Sequence, residues 1–187
     1  MSNGVPAAAA PEPTGAEPRL RWQTVAGLDA PRFLKRSSYM FEREFFVGWG
    51  DVDFNSHMRN TAYLDKSADI RMMFFSESGF AMDGFIRNGI GPVVMKDEVE
   101  YHKEIRLLER FRTTLEIAGL SQDGSRFVMR NEFYRVDGKL SARVTSIGGW
   151  LDLSSRKLTA PPDALHLALL SLPKTGDFHE LVSSIKR

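Results

Sequence analysis

Apolar and polar positions fall into a clear rhythm at a few places along the chain, and those places set the expected elements. In YMFEREFFVGW, Tyr39, Phe41, Phe45, Val47 and Trp49 share one parity, while Glu42, Glu44 and Gly48 fall on the other. That alternation predicts a strand with one buried face. From Thr61 to Ser78 the period lengthens to that of a helix: Leu64, Ala68, Met72 and Phe75 form one row, and Tyr63, Ile70, Met73 and Phe74 widen it. Asn60 or Thr61 is placed to cap its start and Gly79 to end it. So wide an apolar face predicts a helix enclosed by a sheet. Pro92–Ile105 reads as a long strand, and Phe111, Leu115 and Ile117 alternate in the next. Asp123-Gly124 turns the chain into Arg126–Arg135, with Phe127, Met129 and Phe133 inward. Asp137-Gly138 is a two-residue hairpin signal leading into Lys139–Leu153. Within that strand, Gly148-Gly149 predicts a bulge or sharp bend. Pro161-Pro162-Asp163 opens a short helix with Leu165, Ala168, Leu169 and Leu172 on one face.

The order is strand, polar loop, long helix, then four strands joined by turns. Strands segregated from one helix predict an α+β fold with an antiparallel sheet curled around that helix. Such a sheet leaves edges open, so pairing with a second copy is expected. The flanks differ in composition. Residues 1–20 are rich in Ala, Pro and Glu and hold no aromatic residue, which predicts a disordered tail. Residues 21–37 form a lead-in whose Trp22, Val25, Leu28, Phe33 and Leu34 are suited to pack on the core. The main domain is expected over 38–160, and a C-terminal helix and tail over 161–187.

Composition narrows the function classes. The chain has 187 residues, a net charge of +1 and no cysteine. One domain of that length buries a sizeable core without staples. The near-zero charge gives no general pull toward nucleic acid. Without cysteine there is no disulfide, no thiolate metal site and no cysteine nucleophile. No signal peptide or membrane span is expected, the nearest apolar run being Ala164–Leu172. A cytoplasmic location is the simplest expectation.

The chemistry concentrates in Asp51–Asn60, where six of ten residues are Asp, Asn, Ser or His. One reading is a polar turn with a helix cap. A calcium loop is excluded, because Ser56 occupies the sixth position instead of glycine and Ala62 the twelfth instead of glutamate. The third reading is an acid/base site for acyl chemistry. Asp53, Asn55 and His57 would converge on one pocket, with the helix N-terminus stabilising an oxyanion.

The run D-x-D-x-N-x-H-M-x-N-x-x-Y, from Asp51 to Tyr63, resembles the signature of hotdog-fold thioesterases of the 4-hydroxybenzoyl-CoA thioesterase-like group. Plant acyl-ACP thioesterases share its DxNxH core, and Asp69 and Arg71 fit the family's helix. The resemblance spans about residues 39–160. It implies a five-stranded antiparallel sheet wrapped around a long central helix. It also implies hydrolysis of acyl-CoA or acyl-ACP at sites formed between two subunits of a homodimer or larger homo-oligomer. Carried over by position, Asp53 is the catalytic acid, with His57 and Asn55 as its partners. Asn60, Arg59 and Tyr63 fall on substrate-binding positions. Three departures stand out: Ser56 replaces a common glycine, Arg59 a usual asparagine, and Leu108-Glu109 a glycine-aspartate pair, so that turn is expected to differ.

Elsewhere, Asp51 is expected to close the turn after Trp49. His102, His166 and His179 have no metal-ligand spacing, and no metal or cofactor is expected. Lys103, Arg106, Arg110 and Arg112 form either a solvated edge, slightly favoured, or a contact for coenzyme A phosphates. Met72, Met73, Phe74 and Phe75 are expected in the core, some of them lining an acyl tunnel. The alternatives to hydrolysis are a hydratase or dehydratase on acyl thioesters and a non-catalytic acyl-CoA binding module.

Overall fold

A computed structural model describes residues 40–185. The expected tail over 1–20, the lead-in over 21–37 and Tyr39 lie outside the described residues. The elements are β1 (Phe41–Phe46), α1 (Asn60–Glu77), α2 (Met82–Arg87), β2 (Ile90–Tyr101), β3 (Arg110–Ser121), β4 (Arg126–Arg135), β5 (Leu140–Asp152), β6 (Leu158–Thr159), α3 (Asp163–Ser171) and β7 (Lys174–Leu181). Five strands run antiparallel in the order β1-β3-β4-β5-β2. This is the expected α+β arrangement, with α1 packed on β1, β3 and β5. Two short additions extend it: β6 pairs with β5, and β7 runs parallel to β3. The segment expected as a helix and tail is thus a helix and a strand. Among the described residues, no helix is long and apolar enough to cross a membrane.

The two ends of α1 are made differently. At the C-terminus Gly79 takes φ +84°, the Phe80 amide donates to the Phe75 carbonyl and the Gly79 amide to that of Ser76. This is a Schellman closure, which needs a residue tolerant of left-handed backbone. At the N-terminus the cap position is Arg59, whose side chain makes no capping hydrogen bond. Asn60 and Thr61, the expected caps, stand one and two residues inside the helix, where Asn60 Oδ1 accepts the Thr61 amide. The buried stripe is Ala62, Tyr63, Ser67, Ile70, Phe74 and Phe75, whereas Ala68 and Met73 are exposed. The helix is therefore covered on one side only.

Trp49 departs from the expected parity and is 81% exposed. The chain leaves β1 after Phe46 and enters a 3-10 turn over Trp49–Asp51, so strand alternation no longer applies there. The irregularity expected at Gly148-Gly149 sits instead on the facing strand. Val94 pairs with Gly148 and Lys96 with Ile147, so Met95 is the extra residue of a bulge in β2. The glycines serve close approach: a Cβ on Gly148 would lie 2.6 Å from the Phe127 ring and the Val93 carbonyl oxygen.

The core falls into two clusters. One gathers Phe41, Ile70, Phe74, Phe75, Leu115, Met129, Trp150 and the buried face of α3. The other gathers Val47, Met58, Tyr63, Ile105, Phe111, Phe133, Ala142 and Val144. Polar residues stand at the border on each element that crosses it. Thr113 lies between Phe111 and Leu115 on β3, Asn131 between Phe133 and Met129 on β4, Ser146 beyond Val144 on β5, and Ser67 between Tyr63 and Ile70 on α1. All four are fully buried. Ser67 Oγ, Thr113 Oγ1 and Asn131 Oδ1 have no hydrogen-bond partner among the described residues. An unpartnered buried polar atom costs about 1–3 kcal/mol, so this row is a standing expense in the fold.

Candidate functional site

The loop between β1 and α1 is held from both sides. The Val47 amide donates to the Glu109 carbonyl at 3.0 Å, and the Leu108 amide to that of Val47 at 2.9 Å. Asp51 closes the turn after Trp49, as expected: its Oδ2 accepts from the Gly48 amide at 2.9 Å. Farther along, the Met58 amide donates to the Ile105 carbonyl at 2.7 Å and the Leu107 amide to that of Ser56 at 3.2 Å. The loop thus lies against the segment that joins β2 to β3.

Within this frame Asp53 organises the tip. Its Oδ1 accepts from the amides of Asn55 at 2.8 Å and His57 at 3.2 Å, and its own amide donates to the His57 carbonyl at 2.9 Å. This is the Asx-type turn of the first reading. Both side-chain contacts use Oδ1, so Oδ2 stays open on an exposed residue. Ser56 takes φ +61°. That left-handed backbone accounts for a glycine being common there, since glycine adopts it without strain. Leu108 likewise takes φ +64°, so the turn before β3 places leucine in a conformation that suits glycine.

His57 is half-buried and bridges to Arg106 across the loop contact. Glu104 lies close to it. That carboxyl is held below its usual range, first by its own backbone amide and then by the charges of His57 and Arg106. Around the start of α1, the Arg59 amide donates to the Asp51 carbonyl at 2.8 Å. The Thr61 amide is taken by Asn60 Oδ1 at 2.9 Å and the Ala62 amide by the Arg59 carbonyl at 3.0 Å. The Asn60 amide has no such partner among the described residues and is the open donor of the first turn.

The structure therefore brings Asp53, Asn55, His57, Arg59 and Asn60 together at one end of α1. Tyr63 stands apart from them. It is buried, its hydroxyl lies 3.2 Å from Ser141 Oγ, and its ring meets Tyr101 and Phe133 edge-on. Burial raises its pKa. The basic cluster divides. Arg110 and Arg112 pair with Glu44 and Glu42, each at 2.6 Å, whereas Lys103 and Arg106 lie on the segment against the loop. Sequence reasoning missed an apolar shoulder there: Phe54 is 96% exposed, with Trp49, Leu108 and Phe46 also exposed. Among the described residues, no group of three or more His, Asp or Glu side chains is arranged to hold a metal. Two cavities of about 240 and 500 Å³ flank β7, and neither is lined by a residue of the loop.

The chain resembles known proteins in sequence and in fold. The family model of the thioesterase-like superfamily matches residues 47–169, which includes the whole loop and four of the five central strands, all but β1. No curated protein matches the sequence significantly. A 1,4-dihydroxy-2-naphthoyl-CoA thioesterase from Synechocystis superposes with a TM-score of 0.64 at 16% identity, covering 71% of this chain and 96% of its own. A hypothetical protein of Staphylococcus aureus, solved in complex with CoA, gives a TM-score of 0.65 at 19% identity over 72% of this chain and 87% of that one. A DHNA-CoA thioesterase from Staphylococcus aureus gives 0.64 at 18% identity over 69% and 87%.

Proposed function

From the premise that the chain belongs to the thioesterase-like superfamily and is by family a thioesterase, with the hotdog fold, we propose that it hydrolyses acyl-CoA to a free acid and a thiol, with Asp53 at the centre of the reaction. The observation that carries this reading is the open Oδ2 of Asp53, whose Oδ1 takes the His57 amide in the loop that leads into α1. Water activated by that carboxylate, or the carboxylate itself, attacks the thioester carbonyl carbon. A C–O bond forms, and negative charge collects on the carbonyl oxygen, where the Asn60 amide and the helix dipole stabilise it. The C–S bond then breaks: on the water route the proton taken by the carboxylate passes to the departing sulfur, and on the direct route the thiolate leaves an acyl–Asp53 anhydride that water cleaves, freeing the acid and the carboxylate and supplying the proton to the sulfur. His57 and Asn55 orient the substrate and the water. Arg59 borders the site, and Tyr63 contributes only as part of its wall.

The carrier end is CoA in this reading, with Lys103 and the exposed Arg106, which is paired with Glu104 at 3.5 Å, as the cations nearest the loop to meet its phosphates. The protein acts as a homodimer in the cytoplasm. Support for pairing comes from β2, a twelve-residue edge strand with Val94, Met95 and Tyr101 exposed, and from the apolar shoulder at Phe54 and Trp49. A panel of short, long and aromatic acyl-CoAs with a thiol-release readout tests the function. Release of thiol by the wild type and its loss in Asp53→Ala are expected. Hydration of an enoyl-CoA without thiol release, or tight binding without turnover, would replace the hydrolase reading with one of its alternatives.

A further inference from the structure

The face of the sheet turned away from α1 carries charge, and its arginines are almost all answered. Arg110, Arg112, Arg130 and Arg143 on β3, β4 and β5 each have a carboxylate: Glu44, Glu42, Asp177 and Glu132. The Arg130 fork holds Asp177 by two bonds, of 2.8 and 2.9 Å. Arg126 alternates with Val128 and Arg130 on the same face, since Phe127 and Met129 stand in the core. It is the exception. Among the described residues no salt bridge engages Arg126, and its Nε is buried without a hydrogen-bond partner. The buried Nε holds the guanidinium in place, while the missing partner leaves its charge unanswered.

Arg126 borders the cavity of about 500 Å³ beside β7, which is a groove over the sheet. The floor is apolar, made by Ala118, Val128, Ile147 and Leu181. The strand register sets its length. Arg126 stands at one end, Val128 pairs with Ile147 in the middle, and Arg130 pairs with Thr145 at the other end. Four residues of strand separate the two arginines, hence about 13 Å. The volume is in the range of small-molecule sites, which are mostly apolar with a few polar groups that fix orientation.

We propose that this groove on the outer face of the sheet binds a monocarboxylate with a short apolar chain, its carboxylate on Arg126 and its chain along Val128 and Ile147. The site is separate from the loop at Asp53. Ala118 lies nine residues along β3 from Glu109, whose carbonyl holds that loop, hence about 30 Å of strand. The proposal therefore stands or falls independently of the acyl-CoA reading. Charge selects among anions. Arg130 is spent on Asp177, so a single cation is left to be matched. A second negative charge on the ligand would meet Asp177. Glu180, which also borders the cavity, follows His179 and so stands on the other face of β7. A carboxylate suits this balance, and its two oxygens match the planar fork of an arginine. An inorganic phosphate brings too much charge and nothing for the floor.

The test titrates the isotope-labelled full chain with octanoate, octanol and inorganic phosphate and follows the backbone amides by NMR, in the wild type and in Arg126→Met. Octanoate is expected to shift Val128, Thr145 and Ile147 in one saturable step, about tenfold or more tighter than octanol and tighter than phosphate. Arg126→Met should weaken that step about tenfold or more. Any shift at Asn55 and His57 reports acid at the Asp53 loop and should be the same in both proteins. Arg126 has no ion pair to lose, so the variant should keep its melting temperature, and the octanol comparison needs no variant. Groove amides unmoved by octanoate, octanol or phosphate bound as tightly, or an unchanged affinity in Arg126→Met would overturn the proposal.

Discussion

Asp53 and Asp123 are two versions of one local motif. Each accepts the amide two residues ahead on its Oδ1, Asn55 at 2.8 Å and Ser125 at 3.0 Å. Beyond that they diverge. Asp123 also takes the Ser121 hydroxyl on Oδ1 and the Ser183 hydroxyl on Oδ2, so both oxygens are spent pinning the C-terminal segment to the β3–β4 turn. Burial by itself would raise its pKa, but the hydrogen bonds from Ser183, Ser121 and Ser125 outweigh it and hold the carboxyl far below the usual range. Asp53 keeps one oxygen free at the start of a helix. The residue type and the turn are the same; what makes one a structural clasp and the other a reagent is the oxygen left over.

The sharpest way to break that comparison is to remove the free oxygen alone. Asp53→Asn keeps an acceptor for the Asn55 and His57 amides, so the loop should hold while thiol release falls about 100- to 10,000-fold. Asp53→Ala should fall as far and also loosen the loop. Full activity in Asp53→Asn would mean that the carboxylate is only a turn-former. The largest loss of stability should lie at the other end of the sheet. Gly148→Ala forces a methyl against the Phe127 ring and the Val93 carbonyl and is expected to cost about 3 kcal/mol in denaturant unfolding.

Asp123→Ala should leave turnover intact and cost about 2 kcal/mol, since it strands the serine hydroxyls. Its pH dependence gives a finer check. A depressed folded-state pKa stabilises above the unfolded value of about 3.9 and that stabilisation is lost as pH falls through the folded value. The gap between wild type and Asp123→Ala should therefore be widest above about pH 4 and close in acid. A smaller effect belongs to the turn before β3: Leu108→Gly relieves a left-handed leucine and should be neutral or stabilising by up to about 1 kcal/mol.

Much of this was legible before any coordinates. The β4 boundaries fall where the Asp123-Gly124 and Asp137-Gly138 turns placed them, and Leu165, Ala168, Leu169 and Leu172 are buried along α3. The loop announced itself because polar residues are dense there and apolar ones on either side. What escaped had no period to read. α2 is six residues long, too short for a helical repeat to show. β7, KTGDFHEL, has no apolar alternation on either parity, and it is held by a parallel neighbour far away in sequence. Ser67 reads as a polar interruption of the α1 stripe, yet it is wholly buried. In the site, the residue types could be read, but which carboxylate oxygen is free depends on backbone amides that no pattern specifies.

The bulge at Met95 works as a parity switch. Val94 shares the face of the sheet that carries Gly148, though it stands exposed at the uncovered edge, so an unbroken strand would next turn Lys96, Glu98 and Glu100 to that face. One surplus residue exchanges that row for Asp97, Val99 and Tyr101, putting two rings or branches and a single carboxylate where three charges would have stood. The length of β2 is thus part of its code. Losing a single residue there would not shorten the strand so much as turn it inside out.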